Sequence, residues 1–507
     1  MNPSPASARV RRGTIAAAAL AALALAGCAN YAGIHSDKAI TPAASLETTQ
    51  SLPNEGGQWP SLDWASDFGD PQLPRLINEA LAGSPSIAQA QARIAKAQSY
   101  IETSRSALLP KVTGSYSATR ELLSGNGLYP PPFGGNWFTE HTALASASWD
   151  LDLWGKNRER VKASVSQEKA AEADMQEARI TLASSVARTY NQLAQLYAMR
   201  DIAQREIRNR QEVGSIANDR VSAGLDTNVE KQTALGNVAT SQATVSDLDG
   251  QIKSVRYQLA ALLGKGPDRG LAIADPVLGP GGAVTLPSNL PADLVSRRPD
   301  IVAARWQIEA ALANVKEAKA EFFPDINLAA AIGFDAFGWS RFLTAGSRTV
   351  QAGPAIHLPI FDAGALRAQL KGRYADFELD VANYNQALVN AMSDVATQVS
   401  SIRSIDTEMN DAQRALDASA EAYRLAVIRY KAGLSPQLQV LTADSNRLAA
   451  EQTLTNLRMK RRDLQFALIR ALGGGFDAQT AGVATPASNG AVALPAPAPA
   501  PAAAPAG

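Results

Sequence analysis

The sequence predicts an α+β membrane protein, in which a long α-helical coiled-coil barrel continues into a transmembrane β-barrel shared between several copies of the chain. Three observations predict it. Two stretches of more than sixty residues lack proline and carry apolar residues at heptad spacing. Four segments alternate apolar and polar residues with the period of a membrane strand. The whole order of elements occurs twice, at a spacing of roughly 210 residues, which marks a duplicated half-molecule.

The helices carry the strongest pattern. From Ala363 to Ala432 apolar residues recur as Leu370, Tyr374, Phe377, Val381, Tyr384 and Leu388. The pattern resumes with Ile402, Ile405, Met409, Ala412, Leu416, Tyr423, Val427 and Tyr430, after a stutter near Ala391 to Val399. Its counterpart runs from about Lys156 to Val221. At about 1.5 Å per residue each spans on the order of 100 Å. Shorter return helices follow, the first lined by Val245, Leu248, Ile252, Val255, Leu259 and Leu262. Gly224 and Gly433 stand where a left-handed residue ends a helix. Thr227 and Glu230 have the spacing of a capping box for the first return helix, and Ser435 and Pro436 suit the N-cap and first position of the second.

The strands are expected at about 111–123, 142–153, 325–335 and 349–361. In the second, Ala143, Ala145, Ala147, Trp149, Leu151 and Leu153 share one face, while Ser146, Ser148, Asp150 and Asp152 line the other. Tyr116, Trp149, Trp154, Phe334, Trp339 and Phe361 gather toward strand ends, as in an interfacial girdle. The stretch "SGNGLYPPPFGGNWFTEH" between the first two reads as loop. Four strands cannot close a membrane barrel, and open edges are not tolerated in lipid. The chain must share its barrel with copies of itself: a dimer gives eight strands, a trimer twelve.

The repeat shows in short matches. "GSPSIAQAQARIAKAQ" from Gly83 answers "RRPDIVAARWQIEAALANVKEA" from Arg297, and "SALLPKVTGSY" from Ser106 answers "AEFFPDINLAA" from Ala320. "RVSAGLD" from Arg220 answers "RYKAGLS" from Arg429. The chain divides into a signal peptide (1–27), an N-terminal lipidated extended segment (28–71), a first repeat (72–270), a linker (271–290), a second repeat (291–475) and a Pro/Ala-rich disordered tail (476–507).

Export follows from the N-terminus. Arg9, Arg11 and Arg12 precede the apolar run Ile15 to Ala26, which has the form of a secretory signal and is too short to span a bilayer. Cys28, the chain's single cysteine, closes "LAGC", which looks like a bacterial lipobox, so Cys28 is the expected lipidation site. Lysine plus arginine equals aspartate plus glutamate at 48 each, which gives no basic stripe for nucleic acid. Three scattered histidines offer neither a metal site nor a catalytic one.

Together these residues resemble the outer membrane factor family of tripartite efflux systems, the TolC-like channels, in the lipoprotein branch of OprM and NodT type. The most specific piece is "LPADLVSRRPDIVAARWQIEAALANVKEAKAEFFPDINL" from Leu290, with Arg297-Arg298-Pro299-Asp300-Ile301 and Phe323-Pro324. Arg305 departs from the acidic residue usual in the family. The resemblance implies a trimer in the outer membrane of a Gram-negative bacterium, extending into the periplasm. It also implies a periplasmic adaptor and an inner membrane pump of RND type as partners, and passage of drugs or other small molecules. It implies no enzyme activity and no cofactor beyond the lipid on Cys28. Adaptor contacts are implied at the tips: Arg220, Ala223, Gly224 and Leu225, with Arg429, Ala432, Gly433 and Leu434. The periplasmic aperture falls to Gln439 and Thr442, where relatives carry carboxylates, while Asp444, about 200° further round the helix than Thr442, is expected as a solvated residue on the outer face. A periplasmic adaptor lipoprotein is the alternative; it needs one hairpin rather than a repeated strand-strand-helix unit.

Overall fold

The structure is a computed structural model that describes residues 31–484 apart from residues 129, 283 and 284. Cys28, the signal segment and the Pro/Ala tail beyond 484 lie outside the described residues. In chain order the helices are α1 (Gln72–Gly83), α2 (Pro85–Ser106), α3 (Lys156–Ser222), α4 (Asn228–Leu262), α5 (Pro267–Leu271), α6 (Leu290–Arg297), α7 (Pro299–Ala320), α8 (Trp339–Phe342), α9 (Ala365–Lys431) and α10 (Gln437–Ala471). The strands are β1 (Lys111–Leu122), β2 (Trp137–Asp150), β3 (Asp325–Phe337) and β4 (Arg348–His357).

The two halves follow the same order of helix, helix, strand, strand, long helix and return helix, with α5 added in the first and α8 in the second. The long helices α3 and α9 have 67 residues each, and the return helices α4 and α10 have 35 each. The heptad residues of α9 from Leu370 to Ile405 are buried as their spacing requires, with Ala391, Met392, Val395 and Val399 filling the stutter. Beyond Ile405 the seam is only half-buried until Tyr430. Two apolar cores carry the rods. One gathers Leu182, Val186, Tyr190 and Leu193 of α3 with Val255 and Leu259 of α4, under Trp64 and Phe68. The other gathers Ile301, Ile308 and Val315 of α7 with Phe377, Val381 and Leu388 of α9. Each fully buried side chain of this kind contributes roughly 1.5–3 kcal/mol. Phe466 of α10 lies in the first core, so the halves are interlocked rather than placed side by side.

The strands form one antiparallel sheet in the order β1-β2-β3-β4. Registers such as Tyr116↔Ala143, Ala143↔Phe334 and Phe334↔Arg348 fix which residues share a face. One face is apolar, with Val112, Tyr116, Ala145, Ala147, Leu328, Ile332, Val350 and Ile356; the other carries Thr113, Ser115, Ser117, Ser146, Ser148, Asn327 and Gln351. Among the described residues of one chain β1 pairs only with β2 and β4 only with β3, which leaves both outer edges open. Among the described residues no helix is long and apolar enough to cross a membrane.

Several expectations need correction. The strand β2 begins at Trp137, inside the stretch read as loop, because Trp137 and Phe138 pair with Leu122 and Glu121 and extend the hairpin. It ends at Asp150, and β4 ends at His357, which pairs with Asp325 at the start of β3, with Pro359 two residues on. Asp150 does more than line the polar face of β2, and Asp152 lies beyond the strand's end. Asp152 accepts the backbone N–H groups of Asn157 and Arg158 at 2.8 and 3.0 Å, and Asp150 accepts from Asn157 Nδ2 at 2.9 Å, so both carboxylates tie β2 to the start of α3. Residues 476–484 are not a free tail: Phe476, Ala478 and Val483 are buried against Ala173, Val302 and Ala303, and Trp306 donates to the Val483 carbonyl. Arg305 is buried and reaches Glu309 at 2.9 Å, so α7 supplies the acid itself one turn on.

The signature residues hold the junctions. Arg298 donates to Asp300 on α7 and caps the end of α10 by donating to the Ala471 carbonyl at 3.2 Å. Phe323 stacks on Trp154 at 4.8 Å, and Trp154 Nε1 donates to the Pro324 carbonyl, which joins the two strand-helix connections. The N-terminal segment runs outside α9, with Thr41 N–H donating to Asn385 and Glu55 paired with Arg403.

Candidate functional site

The candidate site lies at the far end of the rods, where both helical hairpins turn. Gly224 and Gly433 take φ of +71° and +72°, a conformation glycine adopts without Cβ strain. Leu225 and Leu434 donate their N–H groups back to the carbonyls of Arg220 and Arg429 at 2.8 and 2.9 Å, so the two turns close identically. The capping box of Thr227 and Glu230 is present. At the second tip the helix starts one residue later than expected: Pro436 takes the N-cap place, and Ser435 is buried, its hydroxyl unpartnered among the described residues.

The tips differ in their arginines. Arg220 forms a two-pronged ion pair with Asp226 (2.8 and 3.1 Å), and its guanidinium lies over the ring of Tyr430, 4.8 Å from the centroid. Tyr430 donates its hydroxyl proton to Asp226 at 2.8 Å. These bonds hold the Asp226 carboxyl below its usual range, chiefly through Arg220. Burial, with the Asp226 carboxylate, pushes the Tyr430 phenol up to about 12. The residue matching Asp226 in the second copy is Ser435, which has no charge, and Arg429 is left exposed. Thus Arg220 is used within the protomer, whereas Ala223, Gly224, Leu225, Arg429, Ala432, Gly433 and Leu434 face outward. Leu225 and Leu434 are 65% and 71% exposed, unusual for leucine unless something covers it.

Two turns up, α10 presents two faces. Gln439 and Thr442 open on a groove against Ala418, Ser419 and Ala422 of α9, with exposed Leu438 beside them. Val440 and Asp444 turn the opposite way, toward α3 and α4. The register therefore separates Asp444 from Thr442 as expected, but Asp444 is not solvated; it is 4% exposed. Its carboxylate accepts from Arg447 at 2.9 Å, and Arg447 also bonds Glu206 of α3 at 2.8 Å. Glu206 in turn pairs with Arg210 at 2.5 Å, and Arg447 reaches Glu451 at 3.2 Å while lying over Tyr423. Burial, aided by the adjoining Asp444 carboxyl and opposed by Arg210, raises Glu206 to about 7. A solvated acid is what an isolated residue suggests; the buried cluster arises because α10 is clamped onto α3. Asp444, Arg447 and Glu451, spaced three and four apart on one helix face, were the available signal.

The fold and this site define a class: a mostly helical channel-type protein, with a small sheet that is apolar on one face at one end and long helical hairpins at the other. The chain belongs to the outer membrane efflux protein family, whose model matches residues 76–265 and 290–474. It is similar to the fusaric acid resistance protein FusA of Burkholderia cepacia, with 36% identity over 71% of this chain and 69% of the relative. It is 32% identical to the multidrug resistance outer membrane protein MdtQ of Escherichia coli O157:H7, over 90% of this chain and 96% of that one. Among solved structures it matches VceC of Vibrio cholerae (34% identity, TM-score 0.76, 83% of this chain and 100% of that chain). It also matches the outer membrane channel OprN (28%, TM-score 0.77, 87% and 98%). The chain is an outer membrane efflux channel component, and its family is one of transport proteins rather than enzymes.

Proposed function

We propose that three copies of the chain form one duct, with twelve strands closed in the outer membrane and a helical barrel through the periplasm, and that the duct receives drugs or other small molecules from a periplasmic adaptor and an inner membrane pump of RND type. The observation that carries this reading is the four-stranded sheet, apolar on one face and polar on the other, with β1 and β4 unpaired at its edges. Joining the β4 edge of one copy to the β1 edge of the next satisfies every backbone group in lipid and turns the polar face inward. The equal lengths of α3 and α9, and of α4 and α10, support an internal duplication that gives the helical barrel near-equivalent staves. Energy comes from the pump; the duct supplies a path.

The tips are the adaptor surface, through Leu225 and Leu434 with Ala223, Gly224, Ala432, Gly433 and Arg429. The mouth is lined by Gln439 and Thr442. Cys28 carries the lipid. Tyr31, three residues on, packs edge-on against Phe322 at 5.5 Å, just before β3, so the chain enters at the sheet end of the rods where an acyl chain reaches the bilayer. Native mass spectrometry of the purified protein tests the assembly and the anchor together. The expected species is a trimer whose subunits begin at a triacylated Cys28; a monomer or dimer as the sole species overturns the duct, and an unmodified Cys28 overturns the anchor alone.

A further inference from the structure

The apolar face of the sheet carries cations at its outer end. Arg120 stands near the end of β1 and Arg348 begins β4, and the registers Arg120↔Thr139 and Phe334↔Arg348 put both on the face of Tyr116, Ile332 and Val350. Both are exposed, at the end of the sheet away from the helices. The connection from β3 to β4 folds down over this same face. Phe342 is buried there against Tyr116, His141 and Phe334, at ring distances of 5.9, 5.5 and 6.5 Å. In the same connection Arg341 is exposed, and Trp339 and Leu343, two residues to either side in the chain, are 65% and 68% exposed. The Arg120 guanidinium rests over Trp137, 5.8 Å from its ring. The Arg348 Nε donates to the Ala345 carbonyl at 3.1 Å, which fixes its direction and uses only one of its donors. Among the described residues of this face, from β1 to β4, there is no carboxylate; Glu121, Glu140 and Asp335 fall on the opposite, polar face. Cations without acids, ringed by exposed tryptophan and leucine on a lipid-facing surface, select an anionic headgroup with acyl chains attached.

We propose that Arg120, Arg341 and Arg348 bind the phosphate groups of the glycolipid in the outer leaflet of the outer membrane. The inference rests on the shared barrel described above. There the β4 edge of one copy meets the β1 edge of the next, which brings Arg348 and Arg120 to the two sides of one seam. A headgroup with two phosphates then engages both subunits, and planar guanidinium groups match phosphate oxygens with paired hydrogen bonds. A single-phosphate phospholipid engages one side only, which is why the glycolipid is favoured over it.

The test uses the full-length trimer in nanodiscs containing equal lipid A and phosphatidylglycerol, released and weighed by native mass spectrometry. Wild-type trimers are expected to retain lipid A in preference, and Arg120→Gln/Arg348→Gln trimers to retain at least fivefold less. Arg414→Gln, on the exposed rod of α9, should match wild type. If the double variant does not assemble, Arg341→Gln, outside the strands, must still lower retention. The proposal is overturned if these variants retain lipid A as wild type does, or if phosphatidylglycerol or dephosphorylated lipid A is held equally well. A wild-type protein that is not trimeric in the same spectra sinks the duct reading instead, so the two failures are distinct.

Discussion

Tyr430, the last buried residue of α9, donates its hydroxyl to Asp226 in the turn of the other hairpin at 2.8 Å, so the two tips of one protomer are bonded to each other. Arg220 completes the link from the Asp226 side and covers the Tyr430 ring. A mouth that widens by moving one hairpin away from the other has to break this contact.

Tyr430→Phe keeps the ring and removes only the hydroxyl. A hydrogen bond to a charged acceptor contributes about 1.5 kcal/mol. The variant should therefore open the tips roughly tenfold more often, read as faster amide exchange in residues 219–228 and 429–437, while exchange in the sheet stays unchanged. Unaltered exchange at the tips shows that the bond contributes nothing to closure.

Glu206 makes the clamp between α3 and α10 sensitive to pH. Its folded-state value is raised, from the ordinary glutamate range to about 7. Between about pH 4.5 and 7 the unfolded chain has released this proton while the folded chain still holds it, so stability falls as pH rises through that window. The contribution is complete below the lower limit and lost above the upper one. Glu206→Gln should flatten the decline in melting temperature between pH 5 and 7.5 relative to wild type. An unchanged slope assigns the pH dependence to other groups.

Leu434→Asp tests the adaptor contact without touching the fold. The side chain is 71% exposed, and surface changes of this kind shift stability by no more than about 0.5 kcal/mol. The variant should fold, form trimers and reach the outer membrane, yet fail to restore drug tolerance in a strain that lacks its own channel. Full tolerance would falsify the contact at this tip.

The mouth should behave as an uncharged constriction. Gln439 and Thr442 carry no charge, and Asp444 is neutralised by Arg447 and turned toward α3. Planar-bilayer recordings should show weak cation selectivity and little block by trivalent cations added from the periplasmic side. Thr442→Asp, which in a trimer places three carboxylates at the opening, should introduce such block. Strong block in the wild type means that an acidic ring exists elsewhere in the mouth.

Much of this architecture was legible in the sequence because it rests on periodicity. A heptad repeat dictates which residues of α9 are buried from Leu370 to Ile405, and alternation dictates the two faces of the sheet, whatever lies around them. The turns at Gly224 and Gly433 were equally readable, since a left-handed residue and a capping box are local in cause. What the sequence alone did not determine are the contacts between segments far apart in the chain. Asp226 and Tyr430, Glu206 and Arg447, and Phe476 and Ala173 meet only because the two halves interlock. Burial then reverses the expected behaviour: an acid read as solvated becomes part of an ionic cluster, and a segment read as tail becomes core. Periodicity depends on neighbours along the chain; the protonation of Glu206 and the pairing of the tips depend on which surface folding brings against them, and that was decided by tertiary packing.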